Sequence, residues 1–246
     1  MVTRQILASG GAWLKLGDVN ILLDPGPGSL VQARKRKLDP VKLDAIILSH
    51  KHLDHSVDIN IMIEAMTEGG FSRRGKVFVP KDALDEGAVV LPYLKNFPES
   101  IEILAEGKSY ALGDVSFQTP VRHKHPVETY GFTFTTKGCK FSWIADTGFF
   151  DELPSFYPGE LLVINMVMLE PRFPIDHLSY VEAKQVIEKA KPRVAIITHF
   201  GMSVWRAKPW EVARQLSLDT GVSVIAAYDG MKFDLVKLDT IKSKSI

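Results

Sequence analysis

The chain has 246 residues, 46% of them hydrophobic, which is enough to bury a large core and fold unaided. Its net charge of +1, from 30 basic and 29 acidic residues, gives no general polyanion-binding surface of the kind a duplex binder needs. The lone Cys139 forbids an internal disulfide and a multi-cysteine zinc site, no apolar run approaches the roughly 20 residues that span a bilayer, and Met1 to Gln5 do not lead into a signal-type segment, so the expectation is a soluble, cytoplasmic protein with no membrane partner.

In chain order, strands are predicted over Gln5 to Ala8, Ala12 to Leu16, Asn20 to Leu23, Ala45 to Leu48, Val77 to Val79, Ile101 to Leu104 and Val115 to Thr119. Between the fourth and fifth of these, Ile59, Ile61, Met62, Ile63 and Met66 form an apolar stripe that predicts a helix ending before Gly69 and Gly70. Gly131 to Thr136 and Lys140 to Ala145 both alternate and predict a hairpin turning at Lys137 and Gly138. Strand Leu161 to Asn165, helix Tyr180 to Ala190, strand Val194 to Thr198, helix Pro209 to Leu216 and strand Val222 to Ala227 follow. No repeat, low-complexity tract or linker divides the chain, so residues 1–246 are expected to form one domain. A strand-rich half followed by a βαβα half predicts an α/β (α+β) class, with two mixed sheets face to face and helices outside.

The histidines carry the chemistry. They stand at positions 50, 52, 55, 123, 125, 177 and 199, and the 49 residues before His50 contain none. His50, His52, Asp54 and His55 directly follow the apolar strand Ala45 to Leu48. In extended chain His50 and His52 project to one face and can grip one cation. Asp54 and His55 break that period, and a turn there aims a carboxylate and an imidazole at a second cation beside the first. With a single cysteine available, nitrogen and oxygen donors must hold the metal.

Five segments then appear in a fixed order: SHKHLDH from Ser49, HPVETYGF from His125, WIADTG from Trp143, DHLS from Asp176 and ITHFG from Ile197. Together they resemble the metallo-β-lactamase superfamily, and within it the branch containing ribonuclease Z and the phosphoribosyl cyclic phosphodiesterases. The resemblance runs from LLDPG at Leu22 to AYDGM ending at Met231 and implies the four-layer αβ/βα sandwich of that superfamily. It implies two divalent metal ions, zinc in the first place, with manganese or iron accepted by the same donors. His50, His52 and His125 would bind the first ion, Asp54, His55 and His199 the second, and Asp146 would bridge them. His123 is a rival to His125, because both lie on one face of an extended segment. Asp24 would orient the metal-binding imidazoles from behind, with Ser179 in a supporting position. Taken alone, Asp146 and His199 would read as a turn residue and a buried strand-end histidine; the ordered motifs make them ligands.

His177, in the DHLS segment, resembles the histidine of the phosphodiesterase branch that touches the phosphate and assists the leaving oxygen. His177 and Asp54 are therefore the candidate catalytic residues. Two divalent ions, two carboxylates and a bridging hydroxide sum to about +1, which favours an anionic substrate attacked by that hydroxide. The expected activity is hydrolysis of a small or cyclic phosphodiester. Hydrolysis of a lactone, thioester or other carbon ester is the alternative on the same fold, and ribonuclease Z-like RNA processing is a further one. Only 20 residues separate His125 from Asp146, so the long arm with which many ribonuclease Z enzymes clamp tRNA has no room there. Nucleic acid is therefore the less favoured partner, and a homodimer is the route by which an RNA-binding surface would be added. Lys51, Arg122, Lys124 and Arg172 flank the motifs, where such residues either contact phosphate or, as is commoner for loop cations, are simply solvated.

Overall fold

The computed structural model describes residues 6–9, 11–85 and 87–235, and these divide into two compact units. The first comprises residues up to Arg122 together with Val127–Tyr130; the second comprises His123–Pro126 and the chain from Gly131. Gln5, where the first predicted strand begins, lies outside the described residues, and residues 6–8 form a bend and coil rather than a strand.

In the first unit, β1 (Ala12–Leu16), β2 (Val19–Leu23), β3 (Ala45–Ile47), β4 (Lys76–Val79) and β5 (Ser100–Ile103) form one mixed sheet in sequential order. β1 and β2 are antiparallel and the rest are parallel. The β1–β2 turn begins at Gly17, whose φ of 62° is the left-handed geometry a two-residue hairpin loop demands. A short helix α1 (Ser29–Lys35) follows β2, a one-turn helix α2 (Leu53–Ser56) follows β3, and α3 (Ile59–Met66) comes next.

Both faces of β3 and β4 are buried, as parallel strands covered on two sides require. On one face Leu22, Ile46, Leu48, Val77 and Val79 pack with Ile59, Met62, Ile63 and Met66 of α3. On the other, Phe78 meets Tyr110 and Phe117 edge-on, at ring separations of 5.5 and 5.0 Å. Those aromatics belong to a hairpin of β6 (Lys108–Leu112) and β7 (Val115–Thr119), which turns on Gly113. The sequence pattern missed β6, because Lys108, Ser109 and Ala111 are exposed and only Tyr110 and Leu112 face inward.

The second unit holds a mixed sheet in the order β13 (Ser223–Ala226), β12 (Val194–Thr198), β10 (Leu161–Met168), β9 (Lys140–Ile144) and β8 (Phe132–Thr135). β8 and β9 form the predicted antiparallel hairpin, with a four-residue loop closed by Thr136, whose hydroxyl accepts from the Cys139 amide at 3.1 Å. β9, β10, β12 and β13 run parallel, and a two-residue strand β11 (Leu178–Ser179) joins β10 beside a bulge. Helix α4 (Tyr180–Ala190) starts with a full capping box: Ser179 donates from N and Oγ to Glu182 Oε2, both at 2.7 Å, and Glu182 N donates back to Ser179 Oγ. A short α5 (Met202–Arg206), unforeseen in the sequence, precedes α6 (Pro209–Thr220), which runs four residues past its predicted end to Gly221 at φ 69°. Among the described residues no helix is long and apolar enough to cross a membrane.

Candidate metal centre

The first unit brings the HxHxDH histidines together at the carboxyl end of β3. His50 continues from that buried strand, His52 is still extended at φ −58° and ψ 143°, and α2 then turns the chain so that Asp54 and His55 follow. The ring centroids of His50 and His52 lie 4.9 Å apart, those of His50 and His55 lie 4.1 Å apart, and His55 Nε2 is 3.8 Å from Asp54 Oδ2.

Asp24 sits behind this cluster, buried and in the left-handed region at φ 52°. Its Oδ1 accepts from Ser49 N at 2.6 Å, and its Oδ2 accepts from Ser49 Oγ at 2.7 Å and from His55 Nδ1 at 3.0 Å. Ser49 Oγ also lies 3.0 Å from His50 Nδ1. Because a carboxylate only accepts, His55 carries its proton on Nδ1, and because the Ser49 hydroxyl is spent on Asp24, so does His50. Both tautomers therefore place the imidazole lone pair on Nε2, the form in which a neutral histidine ligates a metal. The donor chemistry of these residues fits a divalent cation held by nitrogen and oxygen.

In the second unit the candidate residues stand at the carboxyl ends of parallel strands. Asp146 follows β9 by two residues, Asn165 lies on β10 opposite Thr198, and His199 follows β12 directly at a left-handed φ of 63°. Asp146 is buried: Asn165 Nδ2 donates to its Oδ1 at 2.8 Å, while its Oδ2 lies 3.5 Å from His177 Nδ1 and 3.7 Å from His199 Nε2. His125 Nδ1 donates to the Asp176 carbonyl at 3.0 Å, which again leaves the lone pair on Nε2. One ligand atom each of His125, Asp146 and His177 lie within 4.8 Å of one another.

His123 behaves differently from its rival His125. Its Nδ1 donates to the Asp146 carbonyl at 3.1 Å, and its Nε2 accepts from the Tyr157 hydroxyl at 2.6 Å, so both ring nitrogens are already engaged. Burial pushes the imidazole down from its ordinary 6.5 to about 4, against the opposing pull of the Asp146 carbonyl. The unfolded chain therefore takes up this proton first as pH falls, and stability is lost between pH 6.5 and pH 4. Full acidification through that window is expected to remove about 3 kcal/mol from the metal-free protein. Urea unfolding as a function of pH checks this: His123→Gln should flatten the slope, and equal slopes for the two proteins would contradict it.

The other predicted residues have plainer surroundings. The Ser179 hydroxyl serves the α4 capping box. Lys51 is drawn to Asp82, at 3.5 Å from its carboxylate, and Lys124 lies over the Phe150 ring at 5.3 Å, whereas Arg122 and Arg172 are exposed. Asn165 and Tyr157 were not foreseen. The first leaves a trace in the sequence, as the lone polar residue among the apolar residues of β10; the second leaves none.

The chain matches the family model described as Beta-lactamase superfamily domain over residues 19–200. It belongs to the metallo-β-lactamase superfamily. This superfamily member is 30% identical to uncharacterized protein MJ1374 of Methanocaldococcus jannaschii over 241 residues, covering 94% of the chain and 89% of that protein. It is 27% identical to ribonuclease Z of Thermoplasma volcanium, over 54% of the chain and 44% of that protein, so it spans less than half of that relative's length. Among solved structures it is similar to the metallo-β-lactamase fold protein YhfI from Bacillus subtilis, with a TM-score of 0.76, 22% identity and coverage of 89% and 88% of the two chains. A diphosphatase from the PhnP family matches with a TM-score of 0.68 and 21% identity, over 91% and 83%. The fold and the clustered histidines and aspartates of this metallo-β-lactamase superfamily chain support a metal-dependent hydrolase.

Proposed function

We propose that the chain is a dinuclear metal-dependent phosphodiesterase acting on a small or cyclic phosphodiester. The ligands are those of the sequence motifs: His50, His52 and His125 for one ion, Asp54, His55 and His199 for the other, and Asp146 for both. Zinc suits this donor set, as do manganese and iron. When bound, two divalent cations lower the pKa of water and neutralise charge on a phosphoryl group.

The observation that carries the reading is His177. Its Nδ1 faces Asp146 Oδ2 at 3.5 Å, which favours an N–H on that nitrogen. In the imidazolium form Nε2 carries a second proton, and this is the proton that passes to the departing oxygen. Alkoxide departure from a phosphodiester needs such a donor. Asp24 holds the protons of His50 and His55 on the nitrogens that point away from the metals, directly for His55 and through Ser49 for His50.

The similarity to a ribonuclease Z and to a diphosphatase supports phosphoryl chemistry over the hydrolysis of carbon esters. The short interval between His125 and Asp146, together with the near-neutral charge, favours a small substrate over tRNA. Cleaving a folded RNA at one position needs contacts remote from the scissile phosphate, and such contacts are largely basic and salt-sensitive.

The test is a side-by-side measurement of kcat/KM at physiological salt on bis(p-nitrophenyl) phosphate, a nucleoside cyclic phosphate, a lactone, a thioester and a precursor tRNA. The expected result is turnover of a small phosphodiester and weak processing of tRNA. Preferred turnover of the lactone or thioester, or specific tRNA cleavage that exceeds every small diester, overturns the reading.

A further inference from the structure

Asp146 is gripped from two directions by residues that no motif contains. On its side chain, Asn165 Nδ2 donates to Oδ1 at 2.8 Å, and Oδ2 faces His177 and His199. On its backbone, the carbonyl accepts from His123, and His123 is in turn held by the fully buried Tyr157 hydroxyl. Gly131 makes room for that pair: a Cβ there would lie 2.6 Å from Tyr157 Oη and 2.9 Å from His123 Cε1. Asn165 is itself fixed within β10, paired with Thr198 of β12, and only 3% exposed. A carboxylate on a flexible torsion has two equivalent oxygens. Here they are made inequivalent by a rigid amide donor.

We propose that Asn165 is a positioning residue, whose amide occupies Oδ1 of Asp146 and thereby presents Oδ2 as the metal-binding oxygen. The His123–Tyr157 pair keeps the main chain at Asp146 from shifting. Asn165 touches neither substrate nor metal in this scheme and acts only through Asp146. The inference rests on the reading of Asp146 as a ligand.

The probes are zinc and cobalt(II) added to the metal-free full chain. Zinc affinity is read by chelator competition, coordination by the visible spectrum of the cobalt form, and stability by thermal unfolding of the metal-free protein. Asn165→Leu, which fills a similar volume without a donor, and Asn165→Asp, which keeps the shape without the amide hydrogens, should each weaken zinc binding by 10- to 100-fold. The cobalt spectrum should change in both, as Asp146 becomes free to bind through either oxygen. Tyr157→Phe should weaken zinc binding in the same direction.

If both Asn165 variants bind zinc within threefold of the native protein, the role of Asn165 is refuted while Asp146 stands as a ligand. An unchanged cobalt spectrum together with lowered stability would make Asn165 merely structural and equally refute it. Native protein that binds neither ion would overturn the metal-centre reading itself, and this inference with it.

Discussion

Replacing His177 by alanine is expected to leave about two metal ions per chain and to lower kcat on a small phosphodiester by about 10²- to 10⁴-fold, the range for loss of a positioned acid–base group. The geometry makes this a demanding expectation. A ligand atom of His177 lies within 4.8 Å of those of His125 and Asp146, close enough for the three to share one ion. Its Nδ1 stands 3.5 Å from Asp146 Oδ2, which serves an imidazole that passes a proton as well as one that binds metal. The two roles separate on metal content. A proton donor leaves stoichiometry intact and loses turnover, most severely for substrates whose leaving oxygen is strongly basic. Elemental analysis beside kinetics decides it, and loss of one metal equivalent in His177→Ala would make His177 a ligand and remove the main support for phosphodiester chemistry.

Gly26→Ala is expected to cost about 4 kcal/mol or more of stability, beyond the range of ordinary point substitutions. A Cβ at Gly26 would stand 2.0 Å from the Asp54 carbonyl oxygen and 2.1 Å from that of Ser9, both of them main-chain atoms that cannot swing aside. The turn is bound into its surroundings by Ser29 Oγ donating to the Gly26 carbonyl at 2.8 Å and by Asp58 N donating to the Pro25 carbonyl at 2.9 Å. Relief of the clash must therefore displace α2, and Asp54 and His55 with it. Gly138→Ala in the β8–β9 loop, where an added Cβ meets nothing within 4 Å, is the control and should fall within about 0.5 kcal/mol of native. Denaturant midpoints measure both. Equal midpoints for the two variants would show that the Pro25–Gly26 segment is an ordinary turn.

Local pattern determined a large part of this molecule. The alternation of β7, the apolar runs of β10 and β12 and, apart from the exposed Ile61, the stripe on α3 match their burial, and they were legible. The chain order of the histidine and aspartate motifs was legible for the same reason, since metal-binding residue types in that sequence are rare. Elements without a periodic signal were not. α1 and α5 are too short to show a stripe, β6 is held by its pairing to β7, and β11 is two residues long.

Tertiary structure alone decided what each motif residue touches. His123 and His125 are two apart with like surroundings in sequence, yet Tyr157, 34 residues beyond His123, engages the Nε2 of one, while the Asp176 carbonyl fixes the tautomer of the other. The resemblance names Asp24 as the residue behind the imidazoles, but only the fold shows which atoms it takes, as Ser49 and His55 converge on it from 25 and 31 residues away. Hydrogen-bond partners at such separations are set by which strand ends the sheet brings side by side, and that order is a property of the whole fold. The sequence thus determined the superfamily and the candidate donors, and folding decided which oxygen and which nitrogen of each candidate its neighbours leave facing the cluster.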